Sequence, residues 1–133
     1  MGESPRWHEN RLWVSDWGAQ EILAIDVDGN IEVVVRTPFA LPFCIDWLPD
    51  GSLLIVSGLD SRLLRREANG SLVTHADLRS LSDKVWNEIV VDGRGNAYIN
   101  GGAGIIALVT ADGLNPTGSR WHCLSEWHGR DAR

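Results

Sequence analysis

Short apolar runs separated by turn residues set the rhythm of this chain. "NRLWVSDW" (residues 10–17), "GSLLIVSG" (51–58) and "GNAYINGG" (95–102) each place a turn residue ahead of a short β-branched or aromatic run. That is the signature of a strand. A second strand follows each of them in "EILAIDVDGNIEVVV", "RLLRREANGSLVTHA" and "GIIALVTADG". These run apolar, then polar, into the turn pairs Asp28-Gly29, Asn69-Gly70 and Asp112-Gly113, which recur roughly every forty residues. Asp-Gly and Asn-Gly favour tight hairpins in which both central residues take φ > 0. Strand, strand, hairpin, strand at this period predicts the blade of a β-propeller. Runs such as "IEVVVR" are too short and too β-branched for helices. The one plausible helical turn, "LRSLSDK" (78–84), reads as a connector. The prediction is an all-β fold of about three four-stranded blades.

Composition narrows the class without changing it. The chain has 133 residues, enough for one modest domain. Its 14 Gly, 7 Trp and single Met suit turns and aromatic packing better than a helical bundle. A net charge of −6 argues against general affinity for nucleic acid or anionic membrane. No apolar run is long enough to span a bilayer, and the opening residues lack the charged-then-apolar pattern expected of a signal peptide. Two cysteines, Cys44 and Cys123, are too few for a disulfide framework. The expected location is cytoplasmic.

The repeat has a finer register that points to candidate chemistry. Four residues before the middle of each innermost strand stand Glu3, Phe43 and Asn87, reached from Trp7, Trp47 and Val91. Innermost strands line a propeller's channel, so these positions share one end of it. Converging Glu and Asn side chains offer hard oxygen ligands to a divalent cation. The structural alternative is a frayed N-terminal Glu3 and a turn-capping Asn87; spacing alone favours it. No nucleophile motif competes: G-x-S-x-G is absent, and Ser57 reads as strand. "GRGNAYINGGAG" lacks the Lys and the helix of a phosphate loop.

The same residues carry a family resemblance. "GESPRWHENRLWVSDW" resembles the opening Gly-Glu-x-Pro-x-Trp box of the SMP-30/gluconolactonase/luciferin-regenerating enzyme (regucalcin-like) family. "FCIDWLPDGSLLIVSG" and "VWNEIVVDGRGNAYING" resemble its second and third blades. The resemblance covers residues 2 to about 113. It implies the N-terminal half of a six-bladed β-propeller of roughly twice this length. It also implies hydrolysis of sugar lactones or related cyclic esters with one divalent metal (Ca, Zn, Mn or Mg). Glu3 would then be a metal ligand and Asn87 a substrate-positioning or metal-adjacent residue. The metal would polarise the lactone carbonyl while a carboxylate deprotonates water. A further Asn ligand and an Asp that is both ligand and base are expected from later blades. Glu88 stands where Asp is commoner, and Val85 where some members carry a substrate-binding Arg. The lactone is therefore left open. With too few ligands and no general base, the chain is expected to bind metal weakly and to be inactive, or to serve as a non-catalytic propeller fragment or binding module. Exposed blade edges invite self-association.

The tail, residues 114–133, breaks the pattern. In "SRWHCLSEWHGRDAR" the β alternation stops, and Trp, His and Arg crowd together. His122, Cys123, His128 and Asp131 lack standard zinc spacing. A disordered tail would be poor in Trp. Back-translated and read one base later, residues 125–133 can give PNGMAVTP, and "SRWHCL" can give ADGIAF. Both Trp-His pairs force Gly in that frame, because TGG followed by CAY reads as GGC. The joined string matches what the family carries at this point. The tail therefore reads as frame-shifted sequence, a reading that resequencing the locus would test.

Overall fold

Strand periodicity is realised over the whole of the chain that the computed structural model describes, residues 1–39 and 41–113. The elements are β1 (Gly2–His8), β2 (Arg11–Asp16), β3 (Glu21–Ile25), β4 (Ile31–Arg36), β5 (Phe43–Trp47), β6 (Leu53–Ser57), β7 (Arg62–Arg66), β8 (Leu72–Asp77), β9 (Trp86–Val91), β10 (Ala97–Gly101) and β11 (Ile105–Val109). A single 3-10 turn, Gly102–Gly104, joins the last two. The strands form three antiparallel meanders, β1 to β4, β5 to β8 and β9 to β11. The first two sheets are complete four-stranded blades. The third shows three strands. The expected fourth strand and the tail 114–133, with its proposed frame shift, lie outside the described residues. Residues 78–84 form turns rather than a helix, as a connector should.

Sheet packing follows from alternation. The first blade turns Trp13, Ile22, Ala24 and Val35 inward against Phe43, Ile45, Leu53, Ile55 and Leu64 of the second. The second blade turns Cys44, Leu54, Val56, Leu63 and Ala76 the other way, onto Trp86, Ile89, Ala97, Ile99, Ala107 and Val109 of the third. The middle blade is thus buried on both faces, and every residue of β6 is buried. That explains why "LLIVS" is a continuous apolar run while β10, covered on one face, alternates. Each fully buried Ile or Leu contributes about 1.5–3 kcal/mol. One aromatic clasp closes the first junction. His8 stacks on Trp47 with ring centres 3.9 Å apart, and Trp13 meets Trp47 edge-on at 5.1 Å.

The hairpins differ from the tight pairs expected. Gly29, Gly70 and Gly113 do take positive φ, but the preceding Asp28, Asn69 and Asp112 do not. Instead Gly29 N–H donates to the Asp26 carbonyl and Asp26 N–H to the Asn30 carbonyl, which makes a longer loop with a single left-handed glycine. Asp26 Oδ1 also accepts the N–H groups of Asp28 and Asn30, at 2.9 Å each. The side chain of the loop's first residue thus satisfies the extra donors. Asp92 repeats the device with Arg94 and Asn96.

His75 on β8 is buried at the outer end of the second junction, where a Cβ on Gly113 would lie 2.7 Å from its ring. Its Nε2 has no hydrogen-bond partner among the described residues. Burial, and then the charge of Arg65, holds its pKa below the ordinary histidine value, although Asp112 and Asp50 pull the other way. A lowered folded pKa means that the unfolded chain takes up the proton first as pH falls. Stability is therefore full above the unfolded value of about 6.5 and declines below it. The urea midpoint is expected to fall between pH 7.5 and 5.5, and to fall less in His75→Gln.

Candidate functional site

Innermost strands β1, β5 and β9 start at the same end of the assembly, because each opens its blade. That end carries the residues expected from sequence. Glu3 is no frayed terminus: it pairs with Ser15 in the β1–β2 ladder. Asn87 is exposed on β9 and lines an open cleft of about 410 Å³ with Trp17, Leu41, Pro42, Val85, Asn100 and Gly102. Val85 therefore sits in the cleft where the resemblance would put a substrate-binding Arg. Glu3 is not part of that cleft lining. Phe43, counted with them in the sequence, is one step out of line: β1 and β9 each bulge and β5 does not, so Cys44 opposite Val56, not Phe43 opposite Ser57, matches Glu3 opposite Ser15. Phe43 is fully buried between the first two blades, and its backbone carbonyl accepts the Trp17 indole N–H at 2.7 Å. The structure thus places Glu3 and Asn87 at one end without bringing them into one pocket.

Below that end lies a polar cluster that the spacing argument missed. Its hub is Glu88 Oε1, next in sequence to Asn87. It accepts Ser4 Oγ at 3.0 Å, Arg6 Nη2 at 2.8 Å and the Ile89 N–H at 3.0 Å. Arg6 Nη2 also donates to the Ile89 carbonyl at 2.8 Å. Ser4 sits at a bulge with φ of 51°, and its Oγ accepts the Ile45 N–H at 3.2 Å. One serine therefore touches both other blades. Asp46 completes the lacing: its Oδ2 accepts the Val91 N–H at 2.7 Å. These bonds hold β1, β5 and β9 in fixed relation along their lengths. Their partners stand more than forty residues apart, so no local pattern could reveal them.

Cys44 lies beside this cluster and is chemically silent. Burial, reinforced by the negative charge of Glu88, pushes its thiol up to about 12. A buried thiol held protonated is a poor nucleophile at neutral pH. Among the described residues no group of three His, Cys, Asp or Glu side chains could hold a metal ion. The described residues alone do not fit the divalent metal that the resemblance implies. Glu88 Oε1 is engaged by three donors from this chain's own residues. A second cleft of about 420 Å³ opens among the outer ends of the first junction. In its wall His8 stacks on Trp47, and the Arg11 guanidinium lies 5.0 Å above the Trp13 ring.

No protein-family model matches this chain, and no curated protein does. The likeness lies with solved structures. Virginiamycin B lyase from Staphylococcus aureus superposes with a TM-score of 0.64 at 18% identity, over 85% of this chain and 39% of its own. A streptogramin B lyase structure gives a TM-score of 0.65 at 17% identity, over 85% and 39%. A protein of unknown function from Bacteroides caccae gives 0.58 at 15% identity, over 77% and 43%. At these identities the likeness establishes the fold alone. The fold is a β-propeller of the six-bladed type, of which the described residues form three blades. The chain spans about two-fifths of the length of these neighbours.

Proposed function

We propose that these three blades carry half of a lactone-opening site of the SMP-30/gluconolactonase kind, and that the chain alone does not turn over. The observation behind this reading is the placement of Glu3 and Asn87 at the starts of two innermost strands, on an end braced by the Ser4–Arg6–Glu88 cluster. An open cleft beside Asn87 gives a cyclic ester room to approach that end. Glu3 is the metal ligand in this reading and Asn87 orients substrate or water. A divalent cation prefers six to eight oxygens if Ca²⁺ and near-octahedral ligation if Mg²⁺. One carboxylate and one amide fall short of both. No catalytic step through a metal is assigned to the described residues, and a non-catalytic binding role is the consequence for the chain by itself.

The test uses the purified chain and its Glu3→Ala variant, with a sugar lactone and Ca²⁺, Zn²⁺ or Mn²⁺. Neither is expected to hydrolyse the lactone above background. Calorimetry is expected to show weak binding of a divalent ion to the wild type, at least tenfold weaker in Glu3→Ala. Metal-dependent turnover that disappears in the variant would show the site to be complete and overturn the inactive reading. Equal metal binding by both chains would remove Glu3 as a ligand. Product mass adds a second readout, because hydrolysis adds water to the ring ester whereas the lyase chemistry of the structural neighbours would not.

A further inference from the structure

Among the described residues the middle blade is buried on both faces, but each end blade exposes one. On the first blade that face is a cross-strand row, Trp7–Leu12–Ile25–Ile31, beside a second, Val14–Leu23–Val33. Trp7 is 65% exposed, and Leu12 and Val33 are each 38% exposed. On the third blade the face carries Val90–Tyr98–Leu108 and Asn100–Ile106. Val90 is 58% exposed and Tyr98 39%. Contiguous exposed apolar surface of this kind marks an interaction site.

The chain's own junctions show what fits such faces. Trp7, Trp47 and Val91 are equivalent, since they pair with Leu12, Leu53 and Ala97 in the innermost ladders. The next residues along the second strands, Trp13, Leu54 and Tyr98, are then equivalent too. In the first junction Trp47 of one blade meets Trp13 of the preceding blade edge-on. By the same geometry Trp7 is shaped to meet the Tyr98 of a preceding third blade. The two exposed ends are thus complementary halves of one junction.

We propose that two copies of this chain close into a six-bladed ring, with the first blade of each packed on the third blade of the other and Trp7 edge-on to Tyr98 of its partner. The three blades formed by the described residues make half a turn of a six-bladed ring. A second copy related by a two-fold axis therefore meets the first at both ends, and the head-to-tail contact closes instead of growing into a filament. A stable pair buries roughly 1,200–2,000 Å² in all, and the ring divides that requirement between two identical junctions. This inference rests on packing and holds whether or not the metal reading does.

Light scattering on the full chain tests it. The expected mass is twice the chain mass of 14.7 kDa. Trp7→Glu and Tyr98→Glu are each expected to halve it while leaving the far-ultraviolet dichroism unchanged, because both side chains are exposed within one copy. Trp7→Phe is expected to keep the pair. Should Trp7→Glu fail to fold, Tyr98→Glu carries the test. A wild-type monomer at tens of micromolar, a pair that survives both charged substitutions, or a mass that climbs without limit would each overturn the proposal.

Discussion

Gly58→Ala is expected to unfold the chain or leave it barely folded at room temperature. Gly58 follows β6 at the end of the molecule that carries Glu3 and Asn87. Its N–H donates to the Pro42 carbonyl at 2.9 Å, and its own carbonyl accepts the Trp86 N–H at 3.3 Å. Three segments are therefore tied at one residue: the approach to β5, the end of β6 and the start of β9. A Cβ at this position would lie 2.2 Å from the Trp86 carbonyl oxygen, 2.7 Å from Pro42 Cγ and 2.9 Å from the Pro42 carbonyl oxygen. Two of these obstacles are backbone atoms, which cannot rotate away. Relief means parting β9 from β6 or breaking one of the two hydrogen bonds. Overpacking of a rigid site costs about 1–3 kcal/mol and more where backbone must move. Loss of a buried backbone hydrogen bond adds about 1–3 kcal/mol. Together, at about 2–6 kcal/mol, they reach the lower end of the whole stability of a small domain, about 5–15 kcal/mol. Urea titration followed by tryptophan fluorescence reads the outcome. A midpoint within experimental error of wild type would show that this end is far softer than its hydrogen bonding implies.

Much of this architecture was legible in the residues, and the reason is periodic. The alternation of "NAYING" follows from one buried face, and the run "LLIVS" from two, so strand positions and blade number could be read locally. The turn glycines were legible as well, because only a residue without Cβ sits cheaply at φ near 86°, as Gly29 and Gly70 do. The hairpin type was not. It depends on Asp26 reaching two N–H groups beyond itself, a choice that the Asp-Gly pair alone does not encode. At the candidate site, register correctly placed Glu3 and Asn87 at the start of their strands. It could not show that the cleft excludes Glu3, nor that Glu88, one residue from Asn87, is already engaged by Ser4 and Arg6. Those facts depend on a bulge at Ser4 and on how far Arg6 reaches across the axis. Both are long-range geometry with no periodic trace.

Trp86→Ala is the second substitution expected to have a large effect, and it connects packing to the site. Trp86 is the largest fully buried side chain of the second junction and immediately precedes Asn87. Its ring lies against Gly101, where a Cβ would come within 3.0 to 3.4 Å of three ring atoms. The glycine is small because the indole fills the space. Removing that ring leaves a cavity between β9 and β10 that their paired backbones cannot close, at a cost of about 3–5 kcal/mol. Trp86→Phe is expected to cost clearly less, for two reasons. It keeps most of the buried surface, and it deletes an indole N–H that has no hydrogen-bond partner among the described residues. A buried donor without an acceptor is itself destabilising, so its loss offsets part of the lost packing. Urea midpoints should therefore rank wild type, then Trp86→Phe, then Trp86→Ala, with the second gap the larger. The opposite ranking of the two gaps would mean that the indole N–H is satisfied and that the aromatic body contributes little. Because Asn87 follows this ring directly in β9, Trp86→Ala should also raise amide exchange at Asn87 and Glu88 more than at Glu3, whose strand packs on the other junction.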